Sequence, residues 1–230
     1  MTGRITPLVS GAIVASMCLG ATAAGQSDRS NQSIEAALQL TPDLRNGKQL
    51  YLELCSACHG RSARGTPSTV VPALAGQIPL YLIKQMVELS EGIRSDRTMH
   101  RQLARKEVTS EQAIADIAGY VSKLPVEATP QRGDGVNLDS GKKYYDGLCA
   151  FCHGSQGQGN AAHATPMLAH QHYSYLLLQM KDLNQGHRYS VDVVVMDALQ
   201  ALDAETLRAV ADYASRLPGA DASAKPHPSR

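Results

Sequence analysis

The sequence predicts an all-α chain made of two tandem small helical domains joined by a short linker. Three observations predict it. Asp43–Gly60, "DLRNGKQLYLELCSACHG", returns 94 positions later as "NLDSGKKYYDGLCAFCHG" from Asn137. "PALAGQIPLYLIKQM" from Pro72 returns as "PMLAHQHYSYLLLQM" from Pro166, and Gly92 and Arg94 return as Gly186 and Arg188. An ungapped match from Asp43 to Thr98 marks a duplicated unit of under 100 residues. Within each unit the apolar residues fall at helical spacing, and no convincing strand alternation appears.

Each unit calls for three main helices. The first of unit one is expected from Thr41-Pro42, a cap followed by proline, and runs into Cys55. The second follows Pro79, with Leu82, Met86 and Leu89 on one stripe. Thr109 is expected to open the third, with Gln112 completing a capping box and Ile114, Ile117 and Val121 as its apolar face. The last helix of unit two starts at Asp203, and "SVDVVVM" reads as a short extended segment. Gly47 and Tyr51, matched by Gly141 and Tyr145, leave a gap for another helix, with Tyr120 and Tyr213 placed to fill it.

These elements divide the chain as residues 1–25, an export signal; 41–125, the first domain; 126–136, the linker "VEATPQRGDGV"; 137–218, the second domain; and 219–230, a flexible tail. The signal reading rests on Arg4, the apolar run Leu8–Gly20 and the small residues Ala21–Ala24. Residues 27–40 read as a loose helix ahead of unit one. Once the signal is cleaved, no integral membrane segment is expected, and the exported protein belongs in the periplasm. A net charge of +1 implies no nucleic-acid partner. There is no tryptophan and one phenylalanine, so the core needs something other than large aromatics to fill it.

With Cys18 discarded in the signal, the four remaining cysteines all lie in two C-x-x-C-H motifs: Cys55, Cys58 and His59, then Cys149, Cys152 and His153. Thiols at i and i+3 share one face of a helical turn, and the following histidine stands beside them. That arrangement reads as covalent attachment of a haem c, with the histidine as an iron ligand. Two motifs imply two haems. A thioredoxin-like redox pair needs a strand–helix–strand context that is missing here. A zinc site needs four ligands, and each unit offers three. For the second axial ligand, Met99 and Met196 stand in equivalent loops before the last helices, because Met86, Met180 and Met167 fit core or repeat positions better. His100 and His187 are the rivals. Carbonyls near Pro72 and Pro166, 13 residues after each histidine, are placed to orient the imidazoles. Arg94 and Arg188 read either as ligands of haem propionates or as surface charges.

The motif helix, "PALAGQ", "YLIKQM", "GIR", a methionine and a closing helix together resemble class I cytochromes c. Two such units in one exported chain are similar to the cytochrome c4 family, from about Leu40 to Pro218. The resemblance implies a periplasmic dihaem carrier of single electrons and no catalytic residue. It places the haem ligands on Cys55, Cys58, His59 and Met99, and on Cys149, Cys152, His153 and Met196. Departures from the repeat are His170 in the place of Gly76 and the later position of Met196. The expected partners are redox proteins, a terminal oxidase or a dehydrogenase among them. The alternatives are a dihaem subunit of an oxidoreductase, as in flavocytochromes, and a dihaem peroxidase. Domain one carries a balance of +3 over residues 41–125 and domain two −2 over 137–218, with a basic concentration around Met99.

Overall fold

The computed structural model describes residues 20–188 and 191–219; most of the export signal and nearly all of the tail lie outside them. In chain order the helices are α1 (Gly20–Gln39), α2 (Leu44–Leu54), α3 (Ser56–His59), α4 (Pro79–Ser90), α5 (Arg97–Leu103), α6 (Glu111–Ser122), α7 (Leu138–Tyr144), α8 (Ala150–His153), α9 (Tyr173–Asn184), α10 (Val193–Gln200) and α11 (Ala204–Ser215). Among the described residues there is no strand, only isolated bridges between Thr66 and Val71 and between Asn160 and Thr165. No helix among them is long and apolar enough to cross a membrane.

Several boundaries differ from the expectation, and local hydrogen bonding gives the reason. The cap of α2 is Asp43, not Thr41: its carboxylate accepts from the N–H groups of Arg45 and Asn46. Ser110 caps α6 by accepting from Ala113 N–H, so Gln112 is free to bond Asp116 and the Thr41 carbonyl instead of closing a box with Thr109. "SVDVVVM" is not extended. Asp192 caps its valines into α10, and a side-chain cap at the right spacing outweighs their modest β preference. The loose helix ahead of unit one is docked instead: Ser30 and Ala37 are buried and Ile34 packs on the first core, all on one face of α1.

Each domain has its own core. In the first, α2 crosses α6 at Gly47, where a Cβ would lie 2.0 Å from the Asp116 carbonyl oxygen. In the second, α7 crosses α11 at Gly141, 2.2 Å from the Ala209 oxygen by the same measure. The expected tyrosines close these crossings. Tyr51 and Tyr120 lie 5.8 Å apart, Tyr145 and Tyr213 5.6 Å, both tilted.

The domains meet across a pseudo-two-fold axis that follows the repeat. The Gln77 side chain bonds both backbone groups of Met167, donating to its carbonyl at 3.0 Å and accepting from its N–H at 2.8 Å. Its counterpart Gln171 does the same to Ala73, the residue matching Met167, at 2.8 and 3.0 Å. Arg94 donates to Gln85, Gln179 and the Tyr175 hydroxyl; Arg188 donates to Gln179 and Gln85. Both arginines are buried, so the surface-charge reading of them is wrong. His172 ties the linker in. It accepts at Nδ1 from Gln131 N–H (3.0 Å) and its Nε2 lies 2.7 Å from the Arg64 carbonyl, which it therefore donates to. Asp212 accepts from the N–H groups of Gly133 and Gly135 and from Arg216, which fixes the rest of the linker.

Replacing Gln171 by leucine strands the buried N–H and C=O of Ala73, at about 1–3 kcal/mol for each unsatisfied group. The expected outcome is faster proteolysis within residues 126–136 and a lower denaturation midpoint in urea, with each domain's own helicity retained. An unchanged cleavage rate would show that the glutamine pair does not hold the domains together.

Candidate functional site

The first C-x-x-C-H motif sits where α2 breaks into the short α3; the second follows α7 through a π-helical turn, Tyr145–Cys149, into α8. Tyr51 is wholly buried and its hydroxyl donates to the Gly60 carbonyl at 2.7 Å; Tyr145 does the same to Gly154 at 2.7 Å. Gly60 and Gly154 take positive φ values of 76° and 79°, which turn the chain sharply away after each histidine. The chain then loops back. Gly65 N–H donates to the His59 carbonyl, and the N–H groups of Leu74 and Ala75 both reach the Ala63 carbonyl. In domain two the same bonds run from Gly159 to His153 and from Leu168 and Ala169 to Gly157. These loops carry Pro72 and Pro166 back over the histidines. His59 Nδ1 lies 3.1 Å from the Pro72 carbonyl and His153 Nδ1 2.9 Å from that of Pro166.

A carbonyl only accepts, so each Nδ1 holds the proton and each Nε2 keeps its lone pair. No protein group described here bonds Nε2. Burial holds both histidines below the usual imidazole range, against the pull of the carbonyl bond, so they are neutral at pH 7. A neutral imidazole with a fixed tautomer is what a metal ligand requires.

The motif cysteines form no disulfide; Cys55 and Cys149 are half-buried and Cys58 and Cys152 exposed. Burial first, then the neighbouring cysteine, pushes the thiols of Cys55 and Cys149 up to about 11. Two uncrosslinked thiols flanking an imidazole with one open nitrogen fit a haem held by two thioether bonds and ligated through Nε2.

The predicted distal residues lie on helices rather than in loops. Met99 is in α5 behind the Asp96 cap, half-buried against the first core. Met196 is half-buried in α10 behind the Asp192 cap. Of the rivals, His100 has Nδ1 on the Leu89 carbonyl at 2.9 Å and His187 is exposed. His170 stands at φ 64°, where Gly76 has 70°; its ring reaches the Glu127 carbonyl at 3.0 Å, so this departure from the repeat serves the linker. The interface glutamines were not recognised as functional in the sequence, although Gln77 and Gln171 end the two matched strings "PALAGQ" and "PMLAHQ".

The cytochrome c family model matches residues 44–125 and again 138–214. The chain belongs to the cytochrome c family. It is 33% identical over 178 residues to cytochrome c4 of Azotobacter vinelandii, covering 71% of this chain and 84% of that one. The crystal structure of reduced recombinant cytochrome c4 from Pseudomonas stutzeri superposes with a TM-score of 0.68 at 27% identity, over 77% of this chain and all of that one. The thiosulfate dehydrogenase TsdBA of Marichromatium purpuratum matches with a TM-score of 0.67 at 29% identity, over 82% of this chain and 43% of that one. This tandem cytochrome is therefore an electron-transfer protein carrying two covalently bound haem c groups.

Removing one hydroxyl tests the frame around each motif. Tyr51→Phe and Tyr145→Phe in the haem-loaded protein are each expected to lower the unfolding free energy by about 1 kcal/mol. Denaturant unfolding measures the loss, and the visible spectrum should not change. A neutral effect at both positions would mean that the bonds to Gly60 and Gly154 do not brace the motif turns.

Proposed function

We propose that one haem is bound through Cys55, Cys58 and His59 and the other through Cys149, Cys152 and His153, with Met99 and Met196 as distal iron ligands. The observation that carries this reading is the matched pair of imidazoles, each with Nδ1 held by a proline carbonyl and Nε2 open. Bound haem supplies a one-electron iron couple. The chain's own residues anchor it, fix the imidazole plane and, through the carbonyl bond, make Nε2 a stronger donor. Arg94 and Arg188 are bonded only to neutral oxygens, and Arg188 Nε has no partner. The haem propionates would supply the negative charge that two buried cations call for.

On this reading the protein is exported to the periplasm by residues 1–25 and shuttles electrons between larger redox proteins. A second reading, a dihaem subunit of an oxidoreductase, is favoured by the match to part of the thiosulfate dehydrogenase TsdBA. Co-purification with a dehydrogenase in fixed stoichiometry would select it.

Export-competent expression with the haem-attachment machinery should yield a mass equal to the signal-cleaved chain plus two haems. Acid acetone should not extract them. A single haem mass, or extractable haem, would overturn the tandem attachment.

The partner surface follows from charge. Arg97, Arg101, Arg105 and Lys106 are exposed on and after α5, while α10 carries exposed Val193, Val194 and Asp197 in the matching place. Arg94 is buried between the domains and takes no part in this surface. Domain one thus suits an acidic partner. Steering of this kind fades as the screening length falls to about 8 Å at physiological ionic strength. Reversing the charge of Arg97, Arg101 and Arg105 should slow electron exchange with the partner at low salt and matter little at high salt. Reversing Asp197, an exposed residue of α10 that caps nothing, should not slow it. Equal effects of the two reversals would remove the case for this surface.

A further inference from the structure

The two distal helices do not carry their methionines in the same register, and cap and core positions show by how much. The match that reads as ungapped to Thr98 in the sequence holds in the structure only through Arg94 and Arg188 and then slips by two, from Asp96 to Asp192. Asp96 and Asp192 are the caps, and each carbonyl accepts from the N–H four residues on: His100 in α5 and Met196 in α10. Burial gives the same alignment. Buried Leu103 corresponds to buried Leu199, half-buried Gln102 to Ala198, and half-buried Met99 to Val195. Val195 also joins the second core as Met99 joins the first. By cap and core, Met196 therefore takes the helix position of His100, one residue beyond that of Met99, although Met196 is half-buried where His100 is exposed.

A residue in an α-helix turns the side chain by about 100° and advances it by about 1.5 Å. Bringing Met196 into the place of Met99 by rotating the helix would break the Asp192 cap and lift Leu199 from the core. The far end of α10 is also pinned. Asn184 Nδ2 donates to the carbonyls of Leu199 at 2.7 Å and Leu202 at 3.1 Å, whereas Ser90, its counterpart by the repeat, bonds only Val87 in its own helix. The helix holds its register at both ends, so the length and flexibility of one methionine side chain must make up the difference.

We propose that the sixth coordination position of the second haem is an exchangeable ligand site, open to a small neutral nitrogen base, because α10 sets Val195 rather than Met196 in the position that Met99 holds in α5. The proposal rests on Met99 and Met196 as distal ligands. Exchange breaks one iron–sulfur bond and forms one iron–nitrogen bond, with no electron transferred and the displaced thioether left neutral. The first haem, whose methionine is in register, resists the same base.

The test is an imidazole titration of the oxidised, haem-loaded full-length protein, following the far-red methionine–iron charge-transfer band. Half of the band should vanish at imidazole concentrations at least about tenfold below those that remove the rest, the factor that a modest difference in ligand binding gives. In Met99→Ala the surviving band should be the sensitive one, and in Met196→Ala the resistant one. The double variant Val195→Met, Met196→Val moves the thioether into register and should bring the sensitive half up toward the resistant half. A wild type showing the band at one haem only, lost in Met99→Ala, would overturn Met196 as a ligand and the proposal with it. A single titration step, or earlier loss at the first haem, would overturn it while leaving both methionines as ligands. Absence of the band at both haems would overturn the methionine assignment itself, and the proposal with it.

Discussion

The hydrogen bond between an imidazole Nδ1 and a proline carbonyl 13 residues later organises each half of this cytochrome. It sets the tautomer of His59 and His153 and leaves Nε2 with the lone pair that a metal would require. Much of the surrounding backbone serves that bond. Gly60 and Gly154 turn the chain off the motif, tyrosine hydroxyls hold those turns, and paired N–H groups on the Ala63 and Gly157 carbonyls fold the return loop. The same return loops supply Ala73 and Met167 to the domain interface. Orientation of the motif imidazole and docking of the domains are thus two uses of one piece of backbone.

The interface is polar and symmetric, which suits two haems held in a fixed relation. Two glutamine side chains act as backbone substitutes, each satisfying a donor and an acceptor that would otherwise be buried unpaired. Two guanidinium groups share the oxygens of Gln85 and Gln179 between them. Buried charge of this kind costs desolvation and contributes specificity of docking more readily than stability. His172 and Asp212 then hold the linker, so the 11 residues from 126 to 136 serve as part of the structure and not as a loose tether.

Duplication made much of this legible from sequence. Residues that recur at a fixed spacing, with chemistry that packing alone does not need, marked the motif cysteines and histidines, the prolines behind them and the glycine–tyrosine crossings. Gln77 and Gln171 recur as faithfully, but their partners are backbone groups some 90 residues away, which no local pattern reveals. Helix starts were misplaced where a nearer aspartate or serine outcompeted a threonine for the capping bond, as at Asp43 and Ser110. The later position of Met196 was visible in the sequence, but not that the Asp192 cap and buried Leu199 set α10 one residue out of step with its methionine.

The tautomer of the two motif histidines tests the central claim most directly. In the reduced, diamagnetic, haem-loaded protein, nitrogen–proton NMR should show an Nδ1-bound proton on both His59 and His153, exchanging slowly with water, because each is buried against a proline carbonyl. A rapidly exchanging or absent Nδ1 proton on either ring would contradict it: that imidazole would then be held by something other than the loop that returns over it.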